Sequence, residues 1–327
     1  MNSRYSRRSL VGRFGGAFPL AAWSQQARPS DMKRIGFLIG SEKALMDAFN
    51  NELRRLGYVE GKNIAVEIRI TRPNSPDNVK YAAELARMDL ELVVVAALPG
   101  ALELRKANPG MPMVIATCPG MVSNGFAASL DHPGGHVTGM DELPPGVTSK
   151  RMGLLKAAAP AVSRIALLST TPGRGGHETQ LAEAERAAAE LGVSVKPYRA
   201  ASLAELETAL AAIANDRMNG LVNFQGAVSL FNRQLIVDFA AKHALPAIYQ
   251  ATLFAEAGGL MAWAPNLEEQ FTMAARYVDQ ILKGAHPGDL PIRYPSRYYL
   301  TINAGAVKGI GLAIPAALLA QADRVLP

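Results

Sequence analysis

The segment Leu92-Val93-Val94-Val95-Ala96 is apolar at five successive positions. A strand with one face in solvent alternates apolar and polar residues, whereas a strand inside a parallel sheet is buried on both faces and is apolar throughout. This segment therefore predicts a central strand in a parallel sheet that is covered on both sides.

Strand and helix patterns alternate on either side of this segment. Before it, Arg34 to Ile39 predicts a strand, an apolar periodicity predicts a helix that ends at Gly57, and residues 64–70 alternate as a strand. After it, residues 99–107 predict a helix and residues 113–116 another strand. These elements form a first βα series.

The same alternation starts again after residue 160. Strands are predicted at 164–169, 193–198, 220–224, 246–249 and 259–263, with helices between them. Ser202 with Glu205, and Asn266 with Glu269, have the spacing of helix N-caps followed by an acidic residue. The two series predict an α/β fold of two doubly wound parallel-sheet lobes, with the chain crossing between them in the Pro- and Gly-rich interval from Asp131 to Pro145.

The first 27 residues differ from the rest of the chain. They contain Arg4, Arg7, Arg8 and Arg13 but no acidic residue, and an apolar stretch follows at 14–23. This order is typical of a secretory signal peptide, and residues 6–11 also resemble a twin-arginine signal. We expect residues 1–27 to be an export signal of the twin-arginine or Sec type and the mature protein to be periplasmic. A disordered tail or a wrongly assigned start codon is the alternative.

Composition and charge exclude several classes of protein. The net charge is +6, but four of the arginines lie in the export signal and no basic cluster follows, so we expect no nucleic-acid partner. The single cysteine, Cys118, excludes an intrachain disulfide and a four-cysteine zinc site. Apolar residues make up 49% of the chain, which is enough for sizeable cores.

Enzyme signatures are missing from the sequence. It has no P-loop, no G-x-S-x-G elbow and no G-x-G-x-x-G helix start. His132 and His136 have the spacing of a helical metal pair, but Pro-Gly-Gly between them favours a turn. We expect the adjacent acidic pairs Asp141-Glu142 and Glu268-Glu269 to be solvated or capping. No catalytic residue, metal site or cofactor is predicted.

Several segments resemble the ABC-transporter substrate-binding family, which has the type I periplasmic-binding fold and whose better-known members bind aromatic amino acids. The matching segments are 56–63 (LGYVEGKN), 128–139 (ASLDHPGGHVTG), 246–249 (PAIY) with 254–261 (FAEAGGLM), 281–291 (ILKGAHPGDLP) and 302–315. The resemblance implies two lobes joined by a hinge, with the ligand between them. It also implies an ABC permease and an ATPase as partners.

In two-lobed binding proteins, late elements return to the first lobe. The resemblance thus implies a first lobe of residues 32–140 plus about 255–285, and a second of 141–254 plus about 286–327. One segment departs from the family pattern: residues 117–122 (TCPGMV) stand where relatives tend to carry a small polar or acidic cluster. This departure predicts a less polar pocket, and we expect a small ligand that is a partly apolar or aromatic carboxylate.

Ligands of open parallel sheets bind beyond the carboxyl ends of the strands, where helix N-termini offer N–H groups to carboxylates. Ser41 and Thr117 could donate hydroxyl hydrogen bonds there, and Tyr249 and Trp263 could stack on a planar ligand. Ser41 as a helix cap, Trp263 as a core residue and Tyr249 as a hinge are the structural alternatives. The predicted ligand-binding residues are Ser41, Leu98, Pro99, Gly100, Thr117, Cys118, Thr170, Gln225, Tyr249 and Trp263.

The function that these features favour is that of an exported solute-binding protein. It would capture a small organic ligand between two closing lobes and deliver it to an ABC import permease. Two alternatives remain open at this point: an exported ligand sensor for a signalling partner, and an α/β enzyme.

Overall fold

The computed structural model describes residues 32–40, 43–71, 75–170, 173, 176–224 and 226–327. The predicted export signal, residues 1–27, lies outside these ranges. Within them the chain forms two separate sheets flanked by helices, which confirms the predicted α/β fold of two lobes. None of the described helices is long and apolar enough to cross a membrane.

The first sheet is parallel, with the strand order β2-β1-β3-β4-β5. Its strands are β1 (Lys33–Ile39), β2 (Ile64–Ile70), β3 (Leu92–Val95), β4 (Met113–Cys118) and β5 (Val137–Asp141). The helices α1 (Lys43–Arg55), α2 (Asp77–Arg87) and α3 (Leu98–Ala107) connect them. Strand β3 is in the middle of the sheet and all of its residues are buried, as its unbroken apolar sequence predicts.

The second sheet has the order β12-β11-β10-β9-β8-β6-β7 and is parallel except between β10 and β11. Its strands are β6 (Arg164–Ser169), β7 (Ser194–Arg199), β8 (Gly220–Asn223), β9 (Ala247–Tyr249), β10 (Met261–Pro265), β11 (Tyr298–Asn303) and β12 (Arg324–Leu326). After β5 the chain also forms the helices α4 (Val147–Ala158), α5 (His177–Leu191), α6 (Leu203–Asn215), α7 (Ala227–Phe231), α8 (Arg233–Lys242), α9 (Thr252–Glu256), α10 (Leu267–Leu282), α11 (Ala304–Gly309) and α12 (Ala316–Leu319).

The predicted helix ends are in place. The Ser202 hydroxyl accepts a hydrogen bond from the Glu205 N–H at the start of α6, and the Asn266 side chain accepts from two backbone N–H groups at the start of α10. Gly57 ends the first helix region with a φ of +94°, a conformation that glycine adopts without strain.

The late elements divide between the lobes differently from the sequence-based division. Helix α10 does return to the first lobe, where Phe271, Ala274 and Val278 pack in one core with residues of β1 and α1. Assigning residues from about 255 onward to that lobe is incorrect for β10, because this strand pairs with β9 and β11 in the second sheet. Residues just after α10 stay with the first lobe, where the Ile292 N–H donates to the Leu130 carbonyl.

Strand β5 lies inside the interval that the sequence analysis treats as the crossing. Gly139 in this strand has a φ of +144°, and a Cβ there would lie 2.0 Å from the carbonyl oxygen of Ile115. The strand therefore approaches β4 more closely than any residue with a side chain allows. The crossing itself begins after Asp141, at the edge of the first sheet.

Candidate ligand-binding cleft

The carboxyl ends of strands from both sheets border one cavity. On the first lobe, the residues at the ends of β1, β3 and β4 line it, and on the second lobe those after β8 and β9 do so. The space between these residues is about 870 Å³, part of which is open solvent. Its position is that of ligand sites in open α/β sheets.

Most of the cavity wall is apolar. Helix α10 contributes Leu267 and Phe271, the segment before and within α3 contributes alanine, leucine and proline, and the short helices α7 and α9 close the other side. The apolar side chains from the second lobe are Ala227, Leu230, Phe231, Ala251 and Leu253. Such a wall favours the apolar part of a ligand over a strongly hydrated one.

Among the described lining residues, three have polar side chains: Thr117, Glu142 and Gln250. The Thr117 hydroxyl donates to the Ala96 carbonyl oxygen over 2.7 Å. The Glu142 carboxylate is 1% exposed, and its Oε1 accepts from the Gln270 Nε2 over 3.1 Å. Gln250 donates through Nε2 to the Ser229 hydroxyl over 3.3 Å, while its buried Oε1 has no hydrogen-bond partner in the protein.

Four of the predicted ligand-binding residues lie at this cavity. Leu98, Pro99 and Thr117 line it directly, and Gly100 lines a smaller adjoining recess that shares Pro99. A Cβ on Gly100 would lie 2.7 Å from the Cδ2 of Leu38, so this glycine lets α3 pack closely on β1. Their contact with a ligand stays a prediction.

The aromatic residues of the predicted set point elsewhere. Tyr249 has no exposed surface and stacks on Phe254 with ring centroids 4.7 Å apart, and burial raises the pKa of its hydroxyl. Trp263 stacks on Tyr298, also at 4.7 Å, and does not line the cavity. Both rings fill the core and the crossing, so we leave them out of the proposed contact set.

The remaining predicted residues are buried beneath the cleft or not described. Cys118 is fully buried in the core of the first lobe, where burial raises the pKa of its thiol. Thr170 is buried as well, and its hydroxyl oxygen accepts from the Ser229 N–H over 3.2 Å. Cys118 and Thr170 thus also leave the contact set. Ser41 and Gln225 lie outside the described residues.

A buried arginine lies in the crossing region near the cleft. Arg151 is 1% exposed; its Nε donates to the Trp263 carbonyl oxygen over 3.0 Å, and its Nη1 has no partner in the protein. Burial lowers the pKa of its guanidinium to about 10, and the charge of Glu142 opposes this effect. Glu142 and Arg151 are therefore close enough to influence each other.

The two lobes touch beside the cavity. Gly120, in the loop after β4, lies so near the start of α5 that a Cβ on it would be 3.0 Å from the backbone nitrogen of Gly176. A Cβ on Gly176 would in turn be 2.5 Å from the Cδ1 of Leu143. The absence of side chains at these two positions is what lets the lobes come together.

Sequence reasoning missed several lining residues. Leu230 and Phe231 belong to the short helix α7, whose residues are not among those predicted to contact the ligand. Glu142 was expected to be solvated or capping, but it is buried against Gln270. Asp141 does cap a turn, since its carboxylate accepts from the backbone N–H groups of Gly120, Met121 and Leu143.

The part of the chain that the structure describes contains no group of three or more His, Cys, Asp or Glu side chains placed to hold a metal ion. The described residues that line the cleft provide apolar side chains, a few hydrogen-bonding groups and one carboxylate.

Known proteins share this architecture. A curated relative, the tyrosine-binding protein of Clostridioides difficile (strain R20291), is 19% identical over 81% of this chain and 75% of its own length. A Streptococcus pneumonia ABC domain solved in complex with L-Trp superposes with a TM-score of 0.83 at 22% identity, covering 90% of this chain and all of that one. A conserved domain protein from Vibrio cholerae gives 0.82 at 24% identity, covering 90% and 99%.

The sequence profile of ABC transporter substrate-binding proteins matches residues 40–326. This match includes the second sheet, strands β2 to β5 of the first sheet and the crossings between the lobes. The chain therefore belongs to the ABC transporter substrate-binding protein family.

Proposed function

We propose that this chain is exported and captures a small, partly apolar organic molecule in the cleft, for delivery to an ABC permease driven by its ATPase. The observation that carries the proposal is the shared cavity: strand ends of both lobes line it, so one ligand can contact both. The protein acts by binding and carries out no reaction on the ligand.

Support for the ligand class comes from the cavity wall and from the relatives. Phe231 and Phe271 are among its apolar lining residues, and tyrosine and tryptophan are the ligands named for two similar proteins. Support for export comes from the basic and apolar pattern of residues 1–27 and from the family.

The proposed mechanism is closure of the two lobes about the crossing segments. A ligand that contacts both walls favours the closed arrangement only by its greater affinity for that arrangement. The contact between Gly120 and Gly176 would form on closure, and the permease would recognise the closed surface.

Thermal unfolding of the chain from residue 28 with a panel of amino acids, amines, aromatic acids, sugars and nucleosides tests this function. A ligand at 100 times its Kd should add about 2.7 kcal/mol to the free energy of unfolding. Ala97→Trp, which fills the cavity from the first lobe, should abolish the shift, whereas Ala211→Trp on the exposed face of α6 should keep it.

A shift that survives Ala97→Trp would place the ligand outside the cleft and contradict the proposal. Conversion of the compound during incubation would contradict it as well, because a transport protein returns its ligand unchanged.

A further inference from the structure

The side-chain amide of Gln250 has one fixed orientation beside the cavity. Gln250 is 2% exposed and lines the second wall, and its Nε2 donates to the Ser229 hydroxyl over 3.3 Å. That hydroxyl donates its own proton to the Gly226 carbonyl oxygen over 2.8 Å, which is a usual length for such a bond. Because its single proton is used there, the Ser229 oxygen can only accept from Gln250. The Nε2 of Gln250 must therefore face Ser229.

This orientation leaves an acceptor of the amide unused. The Oε1 of Gln250 is buried and accepts from no group of the protein. A buried acceptor without a donor costs free energy, and proteins tolerate it mostly where water or a ligand supplies the donor. A molecule in the cleft that carries an N–H or O–H group can therefore complete the hydrogen bonding of this amide.

The first wall also offers an acceptor. The Thr117 hydroxyl donates its proton to the Ala96 carbonyl oxygen over 2.7 Å, so only its oxygen is left for a ligand. Hydrogen bonds within the protein thus orient Thr117 on one lobe and Gln250 on the other in the same sense. Both side chains call for a ligand that donates.

The described part of the wall favours an uncharged donor. Among the described residues that line the cavity, Glu142 alone has an ionisable side chain, and it is engaged within the protein. Its Oε1 accepts from the Gln270 Nε2, and its charge raises the pKa of the buried Arg151 guanidinium, so the two charges act on each other. An ion of either sign would lose its hydration against a mainly apolar wall, whereas an uncharged donor has much less hydration to lose.

We propose that the ligand of the cleft is an uncharged molecule with an apolar body and a neutral donor, a primary amide or a hydroxyl, that bonds to the Oε1 of Gln250. The apolar body would lie against Leu230, Phe231 and Phe271. This inference rests on the proposed binding function, and it replaces the carboxylate ligand that the sequence predicts with a neutral donor.

Five compounds that share a phenyl ring and a short chain separate these requirements. 2-Phenylacetamide and 2-phenylethanol carry neutral donors, methyl phenylacetate is neutral without a donor, and phenylacetate and 2-phenylethylamine are ions at neutral pH. Calorimetric titration of the chain from residue 28 should give at least one neutral donor a Kd about 10-fold or more below those of both ions. The ester, which leaves Oε1 without a donor, should bind about 5- to 100-fold more weakly than that compound.

Gln250→Met is the matched variant, because it keeps the length of the side chain but has no amide oxygen. We expect the neutral donor and the ester to bind this variant with Kd values within about threefold of each other, since neither meets Oε1. A loss of packing alone would weaken both compounds and keep the preference for the donor. Gln321→Met, at an exposed glutamine just after α12, should also keep that preference.

The unfolding curve of each variant without ligand shows whether it folds. If Gln250→Met does not fold, the five compounds on the unchanged protein decide the question. Tighter binding of an ion, including an amino acid of the unfolding panel, would overturn the neutral-donor assignment and leave the binding function standing. An ester that binds as well as the neutral donors, or a preference that persists in Gln250→Met, would do the same. No binding by these compounds or by the unfolding panel would count against both.

Discussion

The two lobes differ in how well their buried polar groups are paired. In the first lobe, the Thr117 hydroxyl donates to a carbonyl oxygen and the Asp141 carboxylate accepts from three backbone N–H groups. In the second lobe, buried atoms of Ser169, Asn223 and Gln250, at or next to the carboxyl ends of β6, β8 and β9, have no partner within the protein. Both lobes have doubly wound sheets, so the difference is one of side chains and not of fold.

This difference suggests that the two lobes would contribute differently to ligand binding. Buried polar groups without a partner cost free energy, and a protein tolerates them mostly where water or a ligand can serve them. Because its strand-end side chains Thr117 and Asp141 are paired within the protein, the first lobe would hold the ligand of the proposed function mainly by shape. The second lobe has unpaired hydrogen-bonding atoms at its strand ends, which under the proposed function would be available to a ligand.

The tightest point of the first lobe should be the most sensitive to change. Gly139→Ala places a Cβ 2.0 Å from the Ile115 carbonyl oxygen, at a φ that residues with side chains rarely adopt. Because neither backbone can move without separating β4 from β5, we expect a loss of roughly 4 kcal/mol in urea unfolding.

Gly153→Ala is the control for this change. Gly153 lies within α4 and a Cβ on it would meet nothing within 4 Å, so alanine should stabilise the protein by about 0.5 to 1 kcal/mol. Equal losses for the two variants would mean that the contact of β5 with β4 is not the constraint we describe.

Asp141 should have the next largest effect. Asp141→Ala removes an acceptor that serves three N–H groups at 2.7 to 3.0 Å and leaves them beside a buried gap. We expect a loss of about 3 kcal/mol, measured by chemical unfolding. Asp131→Ala, an exposed aspartate of the neighbouring loop, should cost less than about 0.5 kcal/mol. A loss below about 1 kcal/mol for Asp141→Ala would show that the first wall is not held by this turn.

The stability of the first lobe should depend on pH through the ion pairs of the Glu52 carboxylate. Its carboxylate accepts from Arg55 and Arg276, each over 2.7 Å, and these bonds lower its pKa from 4.5 to about 2. Because the folded pKa lies below the unfolded one, the stabilisation is present above about pH 4.5 and is lost as the pH falls towards 2.

We therefore expect Glu52→Gln to be less stable than the unchanged protein by about 1 kcal/mol at pH 7, and this gap should close between pH 4.5 and 2. Urea unfolding at a series of pH values measures it. A gap that stays constant into acid would mean that the charge of Glu52 contributes nothing.

The smallest effects are expected from two matched substitutions, one in each lobe, that each remove a single hydroxyl group. Thr117→Val removes a hydroxyl that is bonded to the Ala96 carbonyl, and we expect it to cost about 1 kcal/mol. Ser169→Ala removes a hydroxyl without a partner and should change stability by less than about 0.5 kcal/mol. If thermal unfolding shows the serine change to be the more costly, the comparison between the lobes fails.

Much of the fold could be predicted from local patterns. The unbroken apolar run at 92–95 identified the central strand, and the side chains of Ser202 and Asn266 identified two helix starts that the structure has in place. Strand β5 could not be recognised, because its Gly139 reads as a turn residue and its close approach to Ile115 depends on a partner 24 positions earlier in the chain. The sheet that β10 joins is likewise decided by distant partners.

The site was predictable in position but less so in its side chains. Periodicity correctly places Tyr249 at the end of a strand. Because side chains alternate between the two faces of a strand, its ring points with Ala247 into the core, and the next residue, Gln250, lines the cavity. Leu98, Pro99 and Thr117 follow strand ends more directly. Glu142 was discounted because adjacent carboxylates diverge, and only the position of α10 shows that one of them is buried.

Hydrogen exchange with and without the compound that gives the largest thermal shift tests the central claim most directly. If the cleft is the site, protection should increase at once in residues 96–101 of the first lobe and in residues 226–231 and 250–253 of the second. Protection confined to one lobe, or to a surface away from these segments, would contradict a ligand held between the two.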